Sequence, residues 1–227
     1  MKNHYHNREH MQWSLEDTGE LLRTRFPDHH IWIIRPSLMK RGIFSAYLNF
    51  VESDDFGRPT HYSHQGSWKH LIHLLHSAAE KLHDEGNSPH LMFKEDFSVD
   101  IIGFSKGCVV LNQLLYDLIE HDEEVHSFVS KVRCMYWLDG GHGGQSNIWI
   151  NDSTVLSAFA RTNIKVECHV SPYQMCDSQR KWIKEEYETF TTMAKKLKID
   201  IKTTSHFQDE ERSIRNHFSV LREFKMQ

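Results

Sequence analysis

Residues 99–118 read VDIIGFSKGCVVLNQLLYDL and combine three features in a row: a short apolar run, a glycine-flanked serine and a long apolar run. The run at 99–102 predicts a strand, and the run at 108–118, apolar nearly all round, predicts a buried helix. Between them, GFSKG at 103–107 matches the G-x-S-x-G pattern of a nucleophile elbow, which requires this order of strand, sharp turn and helix. We therefore expect Ser105 to be a nucleophile held clear of a sheet.

The glycines and the helix start of this motif have separate expected roles. Glycine is needed at positions 103 and 107 because the serine between them takes a strained backbone conformation. A Cβ at either position is expected to clash with the adjoining strand and helix. The backbone N–H of Lys106, at the helix N-terminus, is expected to donate one hydrogen bond to an oxyanion. A second donor normally comes from a loop after the strand that precedes the first helix. Here the first helix starts at about Ser14 with no strand signal before it, so only one donor is predicted.

Segments of strand type and helix type alternate along the rest of the chain. The predicted strands are residues 30–34, 99–102, 132–138, 164–170 and 199–203, and the predicted helices are residues 14–25, 67–83, 108–118, 154–161, 178–197 and 213–224. This alternation predicts an α/β fold, with a mostly parallel sheet and helices on both of its faces. We expect one domain over residues 1–227, with the polar segments 53–66 and 83–98 as surface loops.

The composition is typical of a soluble globular protein rather than a membrane-spanning or nucleic-acid-binding one. Of 227 residues, 27 are Lys or Arg and 31 are Asp or Glu, for a formal net charge of −4, and the basic residues alternate with acidic ones. The mean hydropathy is −0.59, and no apolar run approaches the ~18 residues of a membrane span. The four cysteines lack C-x-x-C spacing and lie among apolar neighbours, so we expect reduced, packed thiols.

The 18 histidines are numerous, but their spacing does not predict a metal site. His70, His73 and His76 recur every three residues on one predicted helix, with no acid or cysteine to complete a ligand set, so we interpret them as a solvated face. His142 belongs to a His-Gly-Gly string that follows the G-x-S-x-G motif, where an oxyanion loop does not belong, and we expect a structural loop there. We predict no metal and no cofactor.

A serine nucleophile needs a base and an acid that orients the base, and after an elbow of this type both come from loops that follow later strands. Two acids fit this position. Asp177 follows the penultimate strand and directly precedes a helix, and we prefer it to Asp139, which follows the strand 132–138 in a Gly-rich loop. Two histidines also fit, and position slightly favours His206, close to the end of the last strand, over His217 in the last helix.

The chain resembles an uncharacterised mitochondrial, α/β-hydrolase-like family that is named after open reading frame 69 of chromosome 2. The resemblance covers residues 13–224 and rests on WSLE at 13–16, YLNFV at 47–51, IGFSKGCVVLNQLL at 102–115, YWLDGGH at 136–142, PYQ at 172–174 and NHF at 216–218. It implies an α/β-hydrolase-like fold, a mitochondrial location and a site made of Ser105, Asp177 and His217. The resemblance thus favours His217, the histidine of the Asn-His-Phe motif, over His206.

At its front the chain departs from the family pattern. Family members have further strands, a Phe-Pro-Gly-Asp loop that resembles an oxyanion loop, and a targeting region, none of which is recognisable in this sequence. Such a fold has four strands before the elbow strand, whereas only 30–34 is predicted here. We therefore expect either an N-terminally incomplete domain or a sheet closed by direct pairing of residues 31–34 with 99–102.

These features together predict a serine hydrolase of the esterase, lipase or thioesterase type, in which His217 deprotonates Ser105 and Asp177 orients the imidazole. The substrate is a small molecule or acyl compound that the sequence does not identify, because residues from many loops form such pockets. The alternative is a non-catalytic relative that uses the same cleft to bind a protein partner, as a mitochondrial scaffold.

Overall fold

The computed structural model describes residues 11–84, 97–119, 122–141 and 146–226. Within these ranges the strands are β1 (Leu38–Lys40), β2 (Phe44–Ala46), β3 (Glu52–Ser53), β4 (Pro59–Thr60), β5 (Val99–Phe104), β6 (Val132–Leu138), β7 (Lys165–Val170) and β8 (Ile201–Ser205). The α-helices there are α1 (Leu15–Arg25), α2 (Ser67–Asp84), α3 (Cys108–Tyr116), α4 (Glu123–Val129), α5 (Ser153–Phe159), α6 (Pro172–Met175), α7 (Trp182–Lys196) and α8 (Ile214–Glu223). None of these helices is both long enough and apolar enough to cross a membrane.

The strands β5, β6, β7 and β8 form one parallel sheet in that order. Near their carboxyl ends, Phe104 pairs with Leu138, Leu138 pairs with His169, and Val170 pairs with Ser205. The residues that directly follow these strands therefore lie along one edge of the sheet. The predicted α/β architecture is confirmed to this extent: a parallel sheet with helices on both faces.

Alternate side chains of β6 enter two apolar cores, one on each face of the sheet. Met135 and Trp137 belong to the larger core, to which α2, α3, α4, α5 and α7 contribute. Cys134, Tyr136 and Leu138 belong to the smaller core, to which α1 and α8 contribute. The pleat of a strand produces this two-residue alternation. Burial on both faces also explains why β6 is apolar almost throughout.

Local signals predict the helices well. Ser14 caps α1 by accepting a hydrogen bond from the Asp17 N–H, and Pro27 follows the end of that helix. All six predicted helices are present, with ends no more than four residues from the predicted ones. The largest difference is at α7, which begins at Trp182 rather than at 178. Four of the five predicted strands are also present, and β6 has the predicted bounds.

The predicted strand at 30–34 is wrong. These residues have no regular secondary structure, and Ile33 is 38% exposed. Ile31 packs against the smaller core and Ile34 against the larger one, so the segment contributes side chains to both faces without a backbone ladder. Because no described strand pairs with β5 on the side away from β6, the predicted pairing of 31–34 with 99–102 is also wrong.

The segments predicted as surface loops contain more structure than expected where they are described. Segment 53–66 includes β4, which pairs antiparallel with β3. A second small hairpin, β1 paired with β2, lies just before it and was not predicted. Of the segment 83–98, residues 85–96 lie outside the described residues, and 83–84 complete α2.

All four cysteines are unpaired thiols, as expected. Cys108, Cys134 and Cys168 are buried. Cys176 is exposed, so the expectation of a packed thiol is wrong at this position. It is the C-cap residue of the short helix α6.

Candidate active site

Ser105 lies at the turn between β5 and α3. The strand ends at Phe104, a 3₁₀ turn covers Ser105–Gly107, and α3 follows directly. The φ angle of Ser105 is +52°, in the left-handed region that costs a non-glycine residue roughly 1–3 kcal/mol. Strain of this kind persists where the surrounding packing imposes it, and it is concentrated at functional positions.

The two glycines beside Ser105 are not equivalent. A Cβ at Gly103 would lie 2.9 Å from Leu111 Cδ1 and 3.0 Å from Cys108 Cα, so glycine allows β5 and α3 to pack closely. Gly107 has a helical φ of −62°, and the nearest described atom to a Cβ there is the Tyr47 hydroxyl, at 3.8 Å. The expected clash is therefore present at Gly103 and absent at Gly107.

A buried hydrogen bond joins His217 to Asp139. His217 Nδ1 lies 2.7 Å from Asp139 Oδ2, and the two side chains are only 3% and 0% exposed. The same carboxylate accepts hydrogen bonds from the backbone N–H of Ser171, at 2.8 Å, and from its hydroxyl, at 2.6 Å. Because an ionised carboxylate only accepts, a neutral His217 carries its proton on Nδ1 and leaves a lone pair on Nε2.

The sheet brings this pair next to Ser105. Since Phe104 pairs with Leu138, Ser105 and Asp139 are the next residues on two neighbouring strands, which lie about 5 Å apart. The Phe104 ring also stacks on the imidazole of His217, with 4.7 Å between ring centroids. Ser105 after β5, Asp139 after β6 and His217 on α8 therefore lie at one edge of the sheet.

Two glycines allow Asp139 to turn towards α8. The Asp139 backbone is left-handed, with φ of +49°, and its N–H donates to the His169 carbonyl at 2.8 Å. A Cβ at Gly140 would lie 2.9 Å from Cys108 Sγ, and one at Gly141 would lie 2.6 Å from Gln174 Cγ. The Asp-Gly-Gly sequence is therefore required by close packing on both sides of this loop. His142, which follows it, lies outside the described residues.

Asp177 lies elsewhere, in an ion-pair cluster. Its Oδ2 is 2.8 Å from Arg180 Nη2 and 2.9 Å from Arg212 Nη2. Burial by itself would raise the pKa of Asp177, but the hydrogen bonds from Arg180 and the Gln179 N–H lower it below its usual value. Tyr173 connects this cluster to His217: Arg212 lies 4.4 Å over the ring of Tyr173, and that ring packs 4.9 Å from the imidazole.

His206 belongs to a separate chain of hydrogen bonds. Its Nε2 lies 2.8 Å from His169 Nδ1, and His169 Nε2 lies 3.2 Å from a Glu167 carboxylate oxygen. Burial lowers the pKa of His169 to about 3 and also lowers that of His206. With His169 neutral and donating to Glu167, His206 donates to His169. The structure thus brings His217, and not His206, into contact with a buried acid.

Lys106 contributes its backbone and its side chain to different places. Its N–H lies at the start of the helical turn, where a helix has no carbonyl of its own to receive it. Its side chain extends under the loop before β4, because Lys106 Cε is 3.8 Å from the Cβ position of Gly57. Burial lowers the pKa of the Lys106 ammonium to about 8, although the nearby Asp54 opposes this shift.

Sequence reasoning did not identify Ser171, Tyr173 or Phe104 as parts of the site. Ser171 directly follows β7 and precedes the Pro-Tyr-Gln sequence. Its position at the carboxyl edge of the sheet could therefore have identified it as a residue of the site. The ring contacts of Tyr173 and Phe104 with His217 depend on helix packing and have no local signal. No group of three or more His, Cys, Asp or Glu side chains in the described parts of the chain is arranged to hold a metal.

The family model for C2orf69 matches residues 1–98 and 87–200, which is most of the chain. The chain belongs to the C2orf69 family. It is 41% identical over 221 residues to the mitochondrial protein C2orf69 homolog of Danio rerio, an alignment that covers 93% of this chain and 65% of the relative. It is 37% identical to the Mus musculus homolog and to the Homo sapiens mitochondrial protein C2orf69, with 97% of this chain covered in each case.

These relatives thus align with this chain over most of its length. The chain spans about two thirds of the length of these relatives, with 65%, 72% and 69% of the Danio rerio, Mus musculus and Homo sapiens proteins covered. No solved structure matches the chain.

Proposed function

We propose that the protein is a serine hydrolase with an α/β-hydrolase-like fold, in which Ser105 is the nucleophile, His217 the general base and Asp139 the acid that orients the base. The observation that carries this proposal is the 2.7 Å hydrogen bond between two buried side chains, His217 and Asp139, at the strand end beside Ser105. A buried acid that holds a histidine in one tautomer next to a strained serine is the arrangement of the catalytic triad.

Asp139 takes the role for which the sequence favoured Asp177. Its carboxylate already accepts a hydrogen bond from His217, whereas the Asp177 carboxylate forms ion pairs with Arg180 and Arg212. Asp177 then has a supporting role, since Arg212 connects it to Tyr173 and so to the imidazole.

The proposed reaction has two halves. His217 Nε2 accepts the Ser105 hydroxyl proton while Ser105 Oγ attacks the carbonyl carbon of an ester or thioester. The resulting oxyanion receives a hydrogen bond from the Lys106 N–H, at the positive end of α3. Collapse expels the alcohol or thiol, which takes the proton from His217, and water then hydrolyses the acyl-serine by the same steps. Asp139 keeps the imidazole oriented and stabilises its positive charge throughout.

We propose a mitochondrial location, because the Danio rerio, Mus musculus and Homo sapiens relatives are all named as mitochondrial proteins. The names of the relatives state no activity or substrate.

A fluorophosphonate probe tests the proposed function on the purified chain. We expect covalent labelling that maps to Ser105 by mass spectrometry and disappears in Ser105→Ala. His217→Ala should lower the labelling rate by at least ~10³-fold, as expected for loss of the base. His206→Ala is the matched control and should react at close to the original rate.

Two other results would contradict the proposed roles of Ser105 and His217. A folded, monodisperse protein that does not react at Ser105 contradicts the hydrolase proposal and favours a non-catalytic binding role for the same cleft. Loss of labelling in His206→Ala with retention in His217→Ala would move the base to His206.

A further inference from the structure

An apolar groove lies between the extended segment 32–37 and helix α2. It has a cavity volume of about 410 Å³, which is within the range of small-molecule sites. Its apolar walls include Trp32, Ile34, Tyr47, Leu74, Leu75 and Ala78. The polar residues Asn49, His70 and Arg35 also line it, and Arg35 is exposed.

Tyr47 connects this groove to the turn. Its hydroxyl oxygen lies 3.8 Å from the Cβ position of Gly107. The hydroxyl therefore lies beside the turn Ser105–Gly107, at the N-terminal end of α3. The first N–H groups of a helix point to this same region. A substrate oxygen bound there would meet both kinds of donor.

Tyr47 and His217 lie on opposite faces of the sheet. Tyr47 packs against the larger core, together with residues of α2 and α3. Phe104, on which His217 stacks, packs in the smaller core beneath α8. A tetrahedral intermediate on a serine needs its base on one side and its oxyanion donors on the other. The two faces of the sheet supply this arrangement.

The Tyr47 hydroxyl is suited to donate a hydrogen bond. Burial raises the pKa of Tyr47 to about 12, so the hydroxyl keeps its proton at neutral pH. In the described part of the chain no residue forms a hydrogen bond with this hydroxyl. The backbone of Tyr47 is fixed, because its carbonyl accepts from the N–H groups of Phe50 and Val51 at 2.8 and 2.9 Å.

Building on the proposed hydrolase function, we propose that this groove binds the acyl chain of an ester or thioester substrate and that the hydroxyl of Tyr47, one of its lining residues, is the second oxyanion donor. Apolar walls favour an alkyl chain over a charged or sugar-like group. The carbonyl of the same acyl group then lies between Ser105 Oγ and the Tyr47 hydroxyl. This hydroxyl replaces the second donor that the sequence did not reveal.

Besides the substrate, the covalent step uses only Ser105, His217, Tyr47 and Lys106. The bond between Ser105 Oγ and the carbonyl carbon forms as the hydroxyl proton moves to His217 Nε2. The carbonyl π electrons move to oxygen, which the Tyr47 O–H and the Lys106 N–H stabilise by hydrogen bonds. The electrons return when the bond to the alcohol or thiol breaks, and that leaving group takes the proton from His217.

Two fluorophosphonates that differ only in an ethyl or an octyl chain on phosphorus test the inference on the full chain. We expect the octyl probe to label Ser105 at least tenfold faster, since each buried methylene can contribute up to about fourfold. Ala78→Phe, which fills the groove, should remove this preference. Ser77→Phe adds the same ring on the exposed side of α2 and should preserve the preference. If Ala78→Phe does not fold, Ala78→Leu provides the same test.

Tyr47→Phe tests the hydroxyl separately from the groove. It should lower the labelling rate of both probes by about 10²-fold and keep their ratio, as expected for loss of one oxyanion donor. Tyr62→Phe, at a 41% exposed position, is the control and should have no effect.

The outcomes separate this inference from the function on which it rests. Labelling of Ser105 with equal rates for both probes, or an unchanged rate in Tyr47→Phe, overturns the groove or the donor and leaves the hydrolase proposal standing. A folded protein that neither probe labels overturns both.

Discussion

Asp139→Asn exchanges one acceptor for a donor at a buried position that has three donors around it. The Asp139 carboxylate accepts from the Ser171 N–H, the Ser171 hydroxyl and His217 Nδ1. An asparagine must keep its oxygen towards the Ser171 N–H, because a backbone N–H cannot accept a hydrogen bond. Its amino group then faces the serine hydroxyl, which can rotate to accept, and His217 Nδ1.

This substitution changes which ring nitrogen of His217 carries the proton. To accept from the new amino group, His217 Nδ1 must lose its proton, and the proton of the neutral imidazole moves to Nε2. Nε2 then cannot act as the base for Ser105. We expect a loss of about 10⁴-fold in the rate of Ser105 acylation, equivalent to about 5.4 kcal/mol in activation free energy.

The assay is the second-order rate constant for fluorophosphonate labelling, followed by intact-protein mass spectrometry at neutral pH. Circular dichroism and thermal unfolding verify that each variant is folded. Asp177→Asn is the matched control, since it weakens the contacts with Arg180 and Arg212 but leaves the bond between Asp139 and His217 intact. We expect its rate to stay within tenfold of the original.

Two results would refute this reasoning. If folded Asp139→Asn reacts within tenfold of the original rate, Asp139 does not set the tautomer of the base. If Asp177→Asn shows the larger loss, Asp177 is the acid, as the sequence position and the resemblance favoured.

Three further predictions follow from packing and burial. Gly103→Ala should lower the thermal unfolding midpoint, because the new Cβ overpacks against Leu111 at a cost of ~1–3 kcal/mol, whereas Gly107→Ala should leave it unchanged or raise it slightly. The pKa of His169 is lowered to about 3 in the folded state, so between that pH and about 6.5 the unfolded state binds more protons than the folded state. Urea titrations should therefore show the free energy of unfolding falling as the pH falls through this window. His169→Gln should reduce that slope by up to about 1.4 kcal/mol per pH unit, and an unchanged slope would contradict the assignment. A thiol reagent should modify Cys176 alone in the native protein, and mass spectrometry should detect modification of the three buried cysteines only after unfolding. Rapid modification of the three buried cysteines in the native protein would contradict their burial.

Local sequence signals determined the elements and the turn that carries Ser105. Helix periodicity, the Ser14 cap and the glycines around the serine act within a few residues of chain, so they can be read directly. The apolar run at 30–34 does not distinguish a strand from an irregular extended segment. An extended segment that packs its side chains into two cores has the same apolar composition as a strand.

The choice between the two acids and between the two histidines depends on tertiary structure. Asp139 and Asp177 both follow strands, and the sequence position favoured Asp177. The parallel register puts Asp139 beside Ser105, while Arg212, 35 residues along the chain, pairs with Asp177. Likewise, the packing of α8 brings His217 onto Asp139, 78 residues away, whereas His206 bonds to His169. Such pairings arise from contacts distant in sequence, and a pattern read along the chain carries no record of the distance between two strands.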